Sequence, residues 1–282
     1  MLVDTVRTRL GSALFSRVAG PDGPANRARI HDTPGPRWFA PDSPVRTVHG
    51  DAAMFIGGIA ALLLQSLHPL AMAAVDAHSG YKGDPWGRLQ RTSTFLAVTT
   101  FGTEEHAQHA VDQVRAVHGR IRGTAPDGRP YRADDPHLLT WVHTAEAYCF
   151  LAAHQRFGAH PLEKESCTRY VAESARVARA LGADDPPADR TALVRRLNDY
   201  RTELRATPAA REAARFLLLT PPLPWVARPA YGVLAANAAG LLPGWARRAL
   251  LLPYIPVVEE TAVRLGGHGM TRAIRWAMRS PA

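Results

Sequence analysis

Residues 103–123 read TEEHAQHAVDQVRAVHGRIRG, with Ala107, Ala110, Val111, Val114, His118 and Ile121 recurring at helical spacing. An imidazole therefore interrupts an otherwise apolar stripe. A ring buried there needs a partner for each nitrogen, because an unpaired buried polar atom costs about 1–3 kcal/mol. A metal ion or haem iron on one nitrogen, with a carbonyl or carboxylate on the other, satisfies both. So does a plain core histidine hydrogen-bonded to backbone.

Arg88, Arg91 and Thr92 stand at i, i+3 and i+4, and the same face continues through Phe95 and Thr99. A guanidinium cannot shed its charge, so a partly buried pair requires an anion such as a carboxylate or a cofactor propionate. Bridges to acidic residues of a neighbouring helix are the alternative. Downstream, Leu139, Val142, His143, Glu146 and Phe150 share a face. His143 and Glu146 read either as outer support to the first site or as ordinary buried hydrogen-bonding groups. His106 and His109, beside Glu105, have metal-ligand spacing but fall off the apolar stripe and read as a solvated face. No H-E-x-x-H, G-x-S-x-G, Walker or dinucleotide loop is present, nor the Glu-x-x-His pairs of a carboxylate-bridged di-iron bundle.

Helices must position these groups. Thr103 caps the His118 helix, Glu104 and Glu105 favour its positive end, and Gly123 is expected to close it. Asp84 with Pro85 starts the arginine helix, and Asp135 with Pro136 starts the His143 helix, which runs to Gly158. Further helices follow from Pro161 to Gly182 and from about Asp189 to Arg205, then short proline-broken apolar helices and a basic amphipathic helix, MTRAIRWAMRS. Residues 51–79 are nearly all small or aliphatic but broken by Gln65, His68 and Pro69, which predicts a buried central helix pair rather than a membrane span. Residues 1–50 read as an N-terminal helix and an irregular, proline- and glycine-rich arm, and 51–282 as one helical domain. Strand-type alternation is not evident, so the fold is expected to be all-α, a single-domain multi-helix bundle.

The chain has 282 residues, is 46% hydrophobic and 21% charged, and carries a net charge of +9. Its basic residues are nearly all arginines, scattered without aromatic interleaving or zinc-finger spacing, which argues against nucleic acid as a partner. Cys149 and Cys167 lack any C-x-x-C setting and read as core residues in a reducing compartment. The first twenty residues lack the apolar core of a signal peptide, so the expected location is the cytoplasm, with membrane contact at most peripheral.

Arg88-Leu-Gln-Arg91-Thr92, then VRAVHGRIRG around His118, then YRADDPHLLTWVHT, resembles in order and spacing the MpaB and latex-clearing-protein family of haem-b oxygenases. The Gln65–His68–Pro69 stretch and the proline-rich ending resemble the bacterial branch of that family, so the likeness covers most of the chain from Asp51 onward. The resemblance implies a globin-like core enclosing one haem b, with His118 as the iron ligand and Arg88 and Thr92 on the other side of the haem. Two departures count against polyisoprene cleavage. Arg91 stands where rubber-cleaving members have a lysine able to coordinate iron. Met72 lies near the spacing of their proposed catalytic glutamate, leaving Asp76, His68 or His78 for a proton-transfer role.

The resulting expectation is a haem-b-dependent oxidoreductase, oxygenase-like, activating dioxygen or peroxide to oxidise a small apolar, isoprenoid-like molecule. Arg88, Arg91 and Thr92 are its candidate catalytic residues, His118 its iron ligand, and Arg88, Arg91 and His143 further haem-binding residues. The alternative is a haem-binding or apolar-ligand-binding helical protein without oxygenase turnover.

Overall fold

The computed structural model describes residues 2–80 and 82–278. In chain order the elements are α1 (Leu2–Ala19), α2 (Gly23–Asp32), α3 (Pro44–His49), α4 (Met54–Gln65), α5 (Pro69–His78), α6 (Pro85–Phe101) and α7 (Glu104–His118). Strands β1 (Arg122–Thr124) and β2 (Pro130–Arg132) precede α8 (Pro136–Phe157), α9 (Lys164–Leu181), α10 (Arg190–Asp199) and α11 (Pro208–Leu219). The chain ends in α12 (Arg228–Leu241), α13 (Gly244–Ala249), α14 (Pro256–Val258) and α15 (Arg264–Met278).

Helix α4 is the axis of this all-α domain, packed along α8 and flanked by α12. Ile56, Ala60, Leu63 and Leu64 are all fully buried, and the Trp141 indole N–H of α8 donates to the Gln65 carbonyl at 3.2 Å. Gly57 allows the close approach: a Cβ there would lie 3.1 Å from the Ala153 methyl and 3.3 Å from the Phe150 Cα. Arg275 of α15 closes the far end with a two-pronged pair to Asp51, at 2.8 and 2.9 Å.

The apolar 51–79 segment does split at Pro69. His68 is extended (φ −84°, ψ 115°) because the proline ring disfavours helix at the residue before it. The two helices are bent by 108°, and among the described residues no single helix is long and apolar enough to cross a membrane. Only α4 of the pair is a core helix. Within α5, only Pro69 and Met72 are buried.

The caps act as the side chains suggest. Asp84 accepts from the Gly87 N–H at 2.8 Å, Thr103 from His106 at 3.3 Å, and Asp135 from His137 at 2.9 Å. Two further expectations need correction. Helix α7 stops at His118, with Gly119 as its cap in a right-handed conformation, so Gly123 does not close it. Gly123 instead sits in a short antiparallel hairpin opposite Tyr131, whose ring leaves no room for a side chain there. The arm after residue 20 is not irregular throughout: α2 forms, with Pro24 in its first turn. Arg37 pins that arm by donating to the carbonyls of Ile30 and Thr33, both at 2.9 Å, and to the carbonyl of Phe101 at the end of α6.

Candidate functional site

Helix α7 packs against α6 on one side and α9 on the other, which buries Ala107 and Val111 completely. The stripe then runs out of cover, and Val114 and His118 are half-buried. His118 therefore lies at the edge of the core rather than inside it. Its ring makes no hydrogen bond to the described residues. Burial lowers its pKa, opposed by the Asp134 carboxylate in the loop after β2.

The arginines of α6 separate by one turn. Arg88 is half-buried, whereas Arg91 and Thr92 are exposed. The Arg91 guanidinium lies 3.3 Å from the Asp84 carboxylate that caps its own helix, with its side chain 65% exposed. Of the two, Arg88 is drawn away from water and Arg91 is not. Neither α6 nor α7 lies close against α8. The apolar side chains turned toward the core there, Phe95 and Leu96 of α6 and Val142 of α8, are only partly buried.

Along α8 the structure assembles a row of interior polar groups. Gln65 of α4 donates to the Glu146 carboxylate at 3.1 Å. Burial pushes Glu146 up to about 7, the Gln65 hydrogen bond acting the other way. His143 is buried, with Nε2 lacking a hydrogen-bond partner. Its pKa is held down at about 4 by burial and then by the Arg179 charge. His49 of α3 joins the row: its Nδ1 is 2.8 Å from the Thr100 hydroxyl, its Nε2 also lacks a partner, and its ring meets Phe150 and Tyr170 edge-on. Burial, followed by the charge of His143, brings His49 down to about 4. The fully buried Tyr170 hydroxyl has no partner either.

The row can present neutral imidazoles near pH 7, beside one carboxyl able to gain or lose a proton there. His143 and Glu146 are visible in the sequence as breaks in an apolar face. His49 and Tyr170 are not, because a six-residue helix has no measurable period and a tyrosine in a core stripe looks like packing. Cys149 and Cys167 are free and buried, as expected of core residues. His106 and His109 belong to no metal-holding group among the described residues.

Two uncharacterised mycobacterial proteins, one from Mycobacterium bovis and one from Mycobacterium tuberculosis, are each 30% identical to this chain over 160 residues. The match spans 56% of this chain and 62% of each relative. No solved structure gives a significant match. Residues 46–278, from α3 to the end of α15, match the family described as ER-bound oxygenase mpaB/B'/Rubber oxygenase, catalytic domain, and the chain belongs to that oxygenase family.

Proposed function

We propose that the chain is a haem-b-dependent oxygenase acting on a small apolar, isoprenoid-like molecule. The observation that carries this reading is the His118 ring. It is half-buried at the end of a well-packed helix, without a hydrogen bond to the described residues, in a member of an oxygenase family. Such a ring keeps a lone pair free for iron, and a nearby carboxylate, here Asp134, is the usual support for the other nitrogen. The half-buried Arg88 suits a propionate. On these grounds the residues fit an iron porphyrin, which would supply the activation of dioxygen or peroxide.

The remaining roles fall to the chain itself. Arg88 would hold an acidic group of the cofactor, and Arg91, exposed and paired with Asp84, would add positive charge at the margin of the site and offset negative charge developing in the reaction. Thr92 orients a water molecule. His143 contributes a neutral ring from α8, and Glu146 exchanges a proton near neutrality. Phe95 and Leu96, partly buried on the helix that carries Arg88, would offer apolar surface to a hydrocarbon. The C-terminal segments carry exposed Trp225, Val226, Leu251, Tyr254 and Ile255. Together with the net charge of +9, they support work at the surface of an anionic membrane, where apolar substrates partition.

Haem titration of the purified chain tests the reading. A Soret band that appears in the parent and is lost in His118→Ala is the expected result, followed by oxygen uptake with apolar alkenes. A chain that stays colourless after haem addition overturns it. A Soret band without oxygen uptake favours a haem carrier.

A further inference from the structure

His68, His137 and Glu203, far apart in sequence, each bring one ligand atom to within 4.8 Å of the others. His137 Nε2 lies 3.0 and 2.9 Å from the two Glu203 oxygens, and His68 Nε2 lies 3.5 Å from Oε2. A tetrahedral metal with bonds of roughly 2.0–2.1 Å holds its ligand atoms about 3.3 Å apart, a value these spacings bracket.

The surroundings fix all three. The Tyr200 hydroxyl donates to the His137 carbonyl at 2.8 Å and lies 3.4 Å from Nδ1, leaving Nε2 aimed at Glu203. The Arg205 N–H donates to the Leu67 carbonyl at 2.8 Å, which ties the segment after Glu203 to the residue before His68. The His68 ring is 1% exposed and enclosed by His137, Trp141 and Tyr200, yet both of its nitrogens lack a hydrogen-bond partner. At 3.5 Å the Glu203 oxygen is within ion-pair reach but out of line for a hydrogen bond. A cation on Nε2 would complete the bonding of that nitrogen, which the protein alone leaves without a partner.

We propose that His68, His137 and Glu203 bind one divalent transition-metal ion of the zinc type. Two imidazoles and a carboxylate favour zinc, cobalt or nickel over magnesium or calcium. Three protein ligands leave coordination open, as in catalytic rather than structural zinc sites. The site borders a surface depression of about 420 Å³ walled by Pro69, Arg129, Glu203 and Arg205. Asp127 neutralises Arg129 there at 2.8 Å, so the guanidinium does not repel the ion unopposed.

Calorimetric titration of the chelator-stripped full chain, purified without a histidine tag, with Zn²⁺ and Co²⁺ provides the test. One ion per chain and a tetrahedral cobalt absorption band are expected. Glu203→Gln and His137→Gln should each weaken binding by about 100-fold or more. Both side chains reach solvent, so far-UV circular dichroism of the variants should match the parent. His118→Ala should bind the ion normally, which separates this site from the haem reading. Absence of stoichiometric binding overturns the proposal. So does binding unchanged in both variants, or binding lost in His118→Ala.

Discussion

At Glu146 and at the two histidines near it, burial acts on opposite sides of neutrality. Burial raises the Glu146 carboxyl to about 7, so its contribution to stability is present below the ordinary carboxylate pKa and is lost as pH rises through about 7. The pKa values of His49 and His143 are lowered to about 4, so their contribution is present above about 6.5 and is lost as pH falls toward 4. Glu146→Gln removes one flank only. Its thermal midpoint relative to the parent is expected to rise between about pH 5 and pH 8, and the acid limb to stay unchanged; melting curves across that range check this. A parent whose stability does not decline toward pH 8 would contradict the assignment. How much of the site could be read in advance also divides by residue. His118, Arg88, His143 and Glu146 break apolar faces and so announce themselves. Helical phase puts Arg91 beside Arg88 but carries no sign that Asp84, one helix cap away, holds it at the surface. His68, His137 and Glu203 meet only through tertiary packing, which no local spacing records.

Helix boundaries were legible wherever a cap is made by a neighbour in sequence. Asp84, Thr103, Asp135 and Asp189 each accept from an N–H within three residues, and Gly182 closes α9 in the left-handed region at φ +103°. There the Ala183 N–H reaches the Ala178 carbonyl at 2.9 Å and Gly182 reaches Arg179 at 3.0 Å, a paired closure that needs positive φ. Gly182→Ala is therefore expected to cost about 1–2 kcal/mol, read as a lower urea midpoint with an unchanged slope. Gly119→Ala, at a right-handed cap, should cost less. The β1–β2 hairpin escaped detection for the converse reason. Three-residue strands are too short to show alternation, and what holds this one in place is remote: the Tyr131 hydroxyl lies 3.1 Å from His78 Nε2 of α5. The helix α2 was hidden by Pro24, which reads as a breaker in a loop and as a starter in a first turn.

At the scale of the whole molecule, charge and apolar exposure coincide. Trp225 is 80% exposed and Val257 75%, on a chain of net charge +9. Sedimentation with vesicles containing phosphatidylserine is expected to capture the chain, whereas neutral vesicles should capture less. The difference should shrink as salt rises, since screening lengths fall to about 8 Å at physiological ionic strength. Equal capture by both lipids at low salt would count against a charge-led encounter. The centre of the fold has a different consequence, one for biosynthesis. Helix α4 is sheathed by α8 and α12, both of which leave the ribosome after it. At roughly 5–20 residues per second, its oily flank stays uncovered on the nascent polypeptide for several seconds at least. Yield in a host cell should accordingly respond to chaperones that shield emerging chains, and to slower translation, more than to any change at the finished surface.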